Sequence, residues 1–541
     1  MVGILSPNNT KIIITVGPAS DSYEMLNSLI DAGVDVFRIN TSHGKIEDHL
    51  ETIRKIKELS DNHKCHIPIL IDLQGPKIRL GILSKPINLI DGQELILTTK
   101  DKDADDTHIP VDYKNITNDV KEGDNIFIND GKVQLRATWI NQSQIGCAVV
   151  HGGEISSRKG INLPGAEVST PTITERDKEF IKFGVENDVS YIALSFVRSE
   201  KDIIQAKEII NDLGGNIPVI AKIEKPQALE RIDQIIHVAD GIMVARGDLG
   251  IELSPEKVPL AQKLIVKKTN LAQKPVIIAT QMLESMIDSP IPTRAETNDV
   301  ANSILDGADA IMLSAETSVG KFPVEAVSIM EKIADEIENS ELYHDGLSSM
   351  VEYNASRSIA INHDIAISSL YNDLDIKAVV AVTDSGYTAE ILSKARIKFP
   401  IVALSNQTQL CNQLNLLWGI LPVYFDIEKV SLNDESLHQI SDTIIKKTFL
   451  EKNDKVLIIA GLPYIDSEKT TKIRLYTLET SLTINHFLDL TENLFFLIWK
   501  HRNTNIPINL IKKRLVSIWK NLYKHISILT TNTCWLLSIP N

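Results

Sequence analysis

Cysteine is scarce in this chain. The four present, Cys65, Cys147, Cys411 and Cys534, fall in no C-x-x-C or C-x-x-x-H spacing, which excludes a disulfide framework and a structural zinc site and suits a reducing compartment. Long apolar runs are missing too. No stretch reaches the ~20 residues that a membrane span needs, and Met1-Val2-Gly3-Ile4-Leu5-Ser6-Pro7 has neither the basic n-region nor the apolar h-region of a signal peptide. A cytoplasmic location is therefore expected. Positive charge is in short supply: 56 Lys and Arg against 71 Asp and Glu leave a net charge of -15, which opposes polyanions and argues against nucleic acid as a partner. What is present, 43% hydrophobic and 23% charged residues, is the balance of a folded soluble protein. At about 150 residues per domain, 541 residues allow three or four domains.

One rhythm dominates residues 1–74 and 171–345: a short β-branched apolar run, a polar loop, then a segment of helical period. Eight such runs occur, at Lys11 to Val16, Asp35 to Asn40, Ile67 to Asp72, Tyr191 to Ser195, Val219 to Lys222, Gly241 to Ala245, Pro275 to Ala279 and Ala310 to Ser314. Together these segments have the size, about 250 residues, of an eightfold βα barrel, a TIM barrel of the α/β class. Residues 75–170 interrupt it. There Asp91-Gly92, Glu122-Gly123-Asp124 and Asn129-Asp130-Gly131 read as turns between alternating strands such as Glu94 to Thr98 and Lys132 to Trp139, hence an inserted all-β domain. Residues 346–478 return to βα alternation, with strands at Ala378 to Val382, Ile401 to Leu404 and Lys455 to Ala460, and predict a C-terminal α/β domain. Residues 479–541 form a basic tail of no assigned fold, with five Lys, two Arg and three of the five Trp. Within it Ile511, Leu515, Ile518, Leu522, Ile526 and Leu529 keep a helical period, so a basic amphipathic helix that touches a membrane surface is weighed against an unselected appendage.

In a βα barrel the loops converge only at the carboxyl ends of the strands, and chemistry gathers there. Those ends read Arg38-Ile39-Asn40-Thr41-Ser42-His43-Gly44, Asp72-Leu73-Gln74-Gly75-Pro76-Lys77-Ile78-Arg79, Lys222-Ile223-Glu224, Arg246-Gly247-Asp248-Leu249-Gly250 and Thr280-Gln281-Met282-Leu283-Glu284. Glu224 and Asp248 offer hard oxygen ligands suited to magnesium, while Arg38 and Lys222 offer positive charge. Taken singly, a Lys-x-Glu is an ordinary surface ion pair, Asn40 or His43 a helix cap, and Met282 with Met286 core packing. Five strand ends bearing such residues in barrel order point instead to phosphoryl transfer, where positioning and electrostatics do most of the work.

The chain resembles the pyruvate kinase family. The resemblance is carried by Ile14-Thr15-Val16-Gly17-Pro18-Ala19-Ser20, the Arg38 and Lys222 strings above, Met243-Val244-Ala245-Arg246-Gly247-Asp248-Leu249-Gly250, Ala279-Thr280-Gln281-Met282-Leu283-Glu284-Ser285-Met286, Asp306-Gly307-Ala308-Asp309 and Leu313-Ser314-Ala315-Glu316-Thr317. It extends to about residue 478. It implies transfer of phosphate from phosphoenolpyruvate to ADP, yielding pyruvate and ATP in the last step of glycolysis, by a homotetramer. It further implies that Arg38 grips the substrate phosphate, that Lys222 stabilises the phosphoryl group in flight, and that Glu224 and Asp248 hold magnesium. The amides of Gly247 and Asp248 with the Thr280 hydroxyl would hold the substrate carboxylate. Asn40, His43, Arg79 and Lys159 would meet the nucleotide, with the insert as a lid that excludes water.

Asn40, Ser42, Asp72 and the Leu73 carbonyl correspond to a potassium site of the family. Members that require potassium usually carry Glu where this chain has Lys77, whose ammonium can supply the charge the ion would bring, so a potassium-independent enzyme is expected. A second departure concerns the sugar-phosphate activator that some members bind. Here the corresponding loops read Ser405-Asn406-Gln407-Thr408 and Gly461 to Thr471, the latter with one glycine and the acids Asp466 and Glu468, a poor cradle for phosphate. Two other readings compete. A magnesium lyase or aldolase on a similar barrel would not need Arg79 and Lys159 on a nucleotide lid, and a non-catalytic sensor or scaffold would not need Lys222, Glu224, Asp248 and Thr280 together.

Overall fold

The computed structural model describes residues 9–100, 107–166, 168–343, 375–426, 434–461 and 471–479. The chain divides into two compact units, Met1–Asp426 with Leu457–Arg474, and Ile427–Val456 with Leu475–Asn541. In the second, Asp434–Lys447 is helical.

In the first unit β1 (Lys11–Val16), β2 (Val36–Asn40), β3 (Ile69–Asp72), β12 (Tyr191–Leu194), β13 (Val219–Ile223), β14 (Gly241–Ala245), β15 (Val276–Ala279) and β16 (Ala310–Leu313) close into a barrel of parallel strands. Its order, β1-β16-β15-β14-β13-β12-β3-β2, follows the chain around the ring. Sequences such as KIIITV, VIAKI and VIIA are apolar on both faces because the barrel buries both. One parity faces the helices and forms the larger core, with Ile12, Ile14, Phe37, Ile71, Ala221 and Ile278 among its members. The other fills the barrel interior with Ile13, Val36, Leu70, Tyr191, Ile220 and Met243.

That second parity positions the site. Side chains alternate with period two along a strand, so stepping from Ile13 reaches Thr15, from Val36 reaches Arg38, from Leu70 reaches Asp72, and from Ile220 reaches Lys222 and Glu224. Pairing sets Thr15 opposite Arg38 and Asn40 opposite Asp72. The bottom of the barrel packs instead on the next domain, where Lys394 binds Asp309 and Asn270, Arg396 binds Asp309 at 3.1 Å, and Lys11 donates to the Ile420 carbonyl.

Between Asp72 and the helix Glu175–Glu186 the chain builds a body of β-strands with, against the all-β expectation, one helical turn at Ile116–Asp119. Its six-stranded sheet consists of β5 (Glu94–Thr98), β6 (His108–Pro110), β7 (Asn125–Ile128), β8 (Val133–Ile140), β9 (Gln144–His151) and β11 (Ile161–Asn162), in the order β11-β7-β8-β9-β5-β6. β4 (Ile87–Leu89) pairs with β10 (Gly153–Ile155). Its core is separate and includes Leu80, Leu97, Ile126, Leu135 and Cys147. Further on, β17 (Ile376–Val382), β18 (Ile401–Ser405) and β19 (Ile420–Tyr424) are parallel and share a five-stranded sheet with the strands Lys455–Gly461 and Thr471–Thr477. Cys65, Cys147 and Cys411 are buried. No helix among the described residues is long and apolar enough to cross a membrane. Residues 480–541, where the tail was expected to hold a helix, and residues 462–470 lie outside the described residues.

The chain leaves the barrel through Gly75, and a helix cap holds it there. Thr174 caps the helix Glu175–Glu186 reciprocally with Asp177, whose other oxygen accepts from the Gly75 amide at 3.2 Å. Thr174→Ala is expected to cost about 1 kcal/mol, read as a fall in Tm of about 2–4 °C by differential scanning calorimetry.

Candidate active site

The barrel mouth holds a row of alternating charges. The Arg38 guanidinium donates to Asp72 Oδ2 at 2.7 Å and to Thr15 Oγ1 at 2.8 Å. Lys222 Nζ lies 3.0 Å from Asp72 Oδ1 and 2.9 Å from Glu224 Oε1, and donates to Ser195 Oγ at 2.7 Å. Ser195 in turn donates to the Leu73 carbonyl, and the Phe196 amide donates to Glu224 Oε2, both at 2.7 Å. Arg38, Asp72, Lys222 and Glu224 are all buried, so these contacts act in a medium of low polarity.

The electrostatics follow. Burial opposes the Asp72 carboxylate, but Lys222 and Arg38 outweigh it and hold its pKa below the ordinary value. Burial likewise opposes the Lys222 ammonium, and Asp72 and Glu224 more than offset it, so the group stays charged. Glu224 goes the other way. Burial, with the neighbouring Asp248 charge, pushes it up to about 7 against the pull of Lys222.

A second group lies across the mouth. The helix Arg246–Glu252 starts at the end of β14 with Gly247 and Asp248 in its first turn. The Gly247 amide donates to Thr280 Oγ1 at 2.7 Å, and that hydroxyl donates to the Ala279 carbonyl. Thr280 and Gln281 have φ of +70° and +54°, a region that a β-branched residue adopts only when its surroundings force it. Arg246 does the forcing: it donates to the carbonyls of Thr280 and Gln281 and is fixed by Asp299 at 2.7 Å. Arg246, Gly247, Asp248, Gln281 and Asp299, with Lys77 and with Asp130 of the insert, line a cleft of about 650 Å³.

The structure distributes the remaining sequence-predicted residues in two places. Asn40 Oδ1 accepts from the Ser42 amide, and the exposed His43 follows on the same loop, which Arg176 props through the Thr41 and Gly44 carbonyls. Arg79 and Lys159 sit on the insert. Arg79 bridges Gly160 and donates to the Arg158 carbonyl, and the Lys159 carbonyl accepts from Leu80. The stem of Lys77 lies so close to Gly160 that a Cβ there would fall 2.8 Å from Lys77 Cε. Ser405, of the activator-type loop, accepts from the Gln407 amide.

Sequence reasoning passed over Thr15, Ser195, Phe196 and the clamp role of Arg246. The signal for Thr15 and Ser195 was available, since each stands two residues beyond an inward-facing residue, Ile13 and Ala193. Phe196 and the carbonyls that Arg246 grips left no such trace, because both depend on backbone turns.

Fold and site together define a (β/α)8 barrel enzyme whose mouth presents fixed cations and carboxylates to an anionic substrate beneath an inserted β domain. Comparisons with known proteins specify the family. The model for the pyruvate kinase barrel domain matches residues 7–327, and that for the pyruvate kinase alpha/beta domain matches residues 365–475. A pyruvate kinase from Thermotoga maritima is 45% identical over 458 residues, 84% of this chain and 96% of the relative. Pyruvate kinases from Agrobacterium vitis and Thermococcus litoralis are 41% and 40% identical, each over 87% of this chain and 97% and 99% of their own lengths. The chain belongs to the pyruvate kinase family and is a phosphotransferase.

Proposed function

We propose that this chain transfers the phosphoryl group of phosphoenolpyruvate to ADP, in the cytoplasm and as a homotetramer. The observation that carries the reading is the buried row Arg38–Asp72–Lys222–Glu224 at the barrel mouth. It presents two cations to a phosphate, with carboxylates already orienting both of them. In the reaction the bond between phosphorus and the enol oxygen breaks, a bond to the ADP β-phosphate oxygen forms, and the enolate left behind takes a proton at its methylene carbon.

Arg38 orients the substrate phosphate, and Lys222 follows the charge that spreads over the phosphoryl oxygens in transit. The first-turn amides of Gly247 and Asp248, with the Thr280 hydroxyl, receive the substrate carboxylate at a helix N-terminus, exchanging for it the bonds that Gly247 and Thr280 make to Thr280 and Ala279. Asn40 and His43 from the barrel, and Arg79 and Lys159 from the insert, meet the nucleotide.

Glu224 and Asp248 fit a magnesium ion. They are hard oxygen donors, and the charge of one raises the pKa of the other, a repulsion that a cation relieves. The other ligand positions of a magnesium ion usually go to substrate phosphate and water. When bound, the ion neutralises charge on the phosphoryl oxygens.

The deciding measurement is pyruvate formation coupled to a reporter reaction, with phosphoenolpyruvate, magnesium and varied ADP. Turnover that saturates with ADP is expected. Consumption of phosphoenolpyruvate without ADP would favour a lyase, and no turnover would favour a sensor.

A further inference from the structure

The segment that follows β12 reaches both the chemistry and the hinge of the inserted domain. Ser195 accepts from Lys222 and donates to the Leu73 carbonyl. The Phe196 amide holds Glu224. The Phe196 ring crowds Gly75, where the chain departs for the insert, so that a Cβ at Gly75 would meet its Cδ2 at 2.8 Å. Phe196 itself has a φ of +54°, a conformation that a bulky residue keeps only when held. Val197 is fully buried in the barrel core, which pins the segment from behind.

Arg198 then turns toward the segment that returns from the insert to the barrel. Its guanidinium donates to the Val168 carbonyl, to the Thr170 carbonyl at 2.8 Å and to Thr172 Oγ1 at 2.8 Å. Asp202 fixes the arrangement by accepting from the Arg198 amide and from Thr172 Oγ1. A second tie runs from Lys225, which lies over the Phe196 ring, to Glu252 and from there to Asn162 of β11. Thus within four consecutive residues Ser195, Phe196 and Arg198 touch Lys222, Glu224, the outgoing hinge and the return hinge.

We propose that Arg198 is a positioning residue that sets the inserted domain over the barrel mouth and so places Arg79 and Lys159 for the nucleotide. The inference rests on the reaction proposed above. Its logic is geometric: the groups assigned to phosphoenolpyruvate all stand on the barrel, whereas Arg79 and Lys159 ride on the insert. Releasing the return hinge displaces only the second set. A planar guanidinium suits the task, because it bonds three acceptors at once, and an ammonium cannot reproduce that fork.

The test is steady-state kinetics on the full chain, with KM for ADP and for phosphoenolpyruvate measured separately and melting followed in parallel. Arg198→Met is expected to raise KM for ADP about tenfold while KM for phosphoenolpyruvate stays within about twofold. Arg198→Lys is expected to fall between Met and the parent. A folded Arg198→Met variant in which both constants stay put, both rise together, or only kcat falls overturns the proposal. Where Arg198→Met does not fold, Thr172→Val decides by the same criterion, with about a threefold rise expected for ADP alone. Failure of the parent chain to form pyruvate from ADP and phosphoenolpyruvate would instead overturn the reaction, and is read before any variant.

Discussion

Lys222→Met is expected to lower kcat by about 10²-fold or more while changing KM for phosphoenolpyruvate far less. The ammonium is held by Asp72, Glu224 and Ser195 at 2.7–3.0 Å, which keeps its charge at the place where charge develops on the transferring group. An interaction that strengthens only as the phosphoryl group moves is lost from kcat rather than from binding. Structural damage gives a different pattern. Removing Lys222 leaves Asp72 and Glu224 without their shared partner, which costs about 3–5 kcal/mol in a buried site, so melting must be followed alongside. A folded variant with parental turnover would refute the assignment of Lys222.

The second large effect concerns potassium. Three oxygens of the potassium-type site are engaged within the protein: Asp72 binds Arg38 and Lys222, the Leu73 carbonyl accepts from Ser195, and Asn40 accepts from the Ser42 amide. Lys77 stands on the wall of the cleft that also holds Asp248 and Arg246. Two unit charges about 5 Å apart repel by about 3 kcal/mol at an effective dielectric of about 20, so the Lys77 ammonium is expected both to replace a monovalent cation and to discourage it. Turnover in potassium-free tetramethylammonium buffer is therefore expected to match that in potassium. Lys77→Glu reverses the sign, and its activity is expected to become potassium-dependent by about tenfold or more. A strong potassium requirement in the parent chain would refute the role given to Lys77.

Much of the barrel was written in local pattern. Runs such as KIIITV and GIMVA have the β-branched, two-faced apolarity that only a strand buried on both sides requires, and β1 and β14 form over the same residues that the pattern marks. The strand Glu94–Thr98 of the insert behaves likewise, because turn residues bound it on each side. Where the edges drift, as at β3, which starts at Ile69 rather than Ile67, pairing with the neighbouring strand sets the limit rather than the composition.

The sequence by itself determined the strands, their order and the residue types at their carboxyl ends, because period-two alternation and turn chemistry are local and need no partner. It also carried enough of the site's strings to mark the family. Tertiary structure alone decided which side chains meet. Asp72 bridges Arg38 and Lys222 only because the closed barrel brings β2 and β13, 34 and 150 residues away along the chain, around one mouth. Likewise Thr280 takes its left-handed backbone, and Phe196 its own, only because Arg246 and the Gly75 turn are packed against them. Contacts between residues so far apart have no signature in composition or period; closure of the ring creates them.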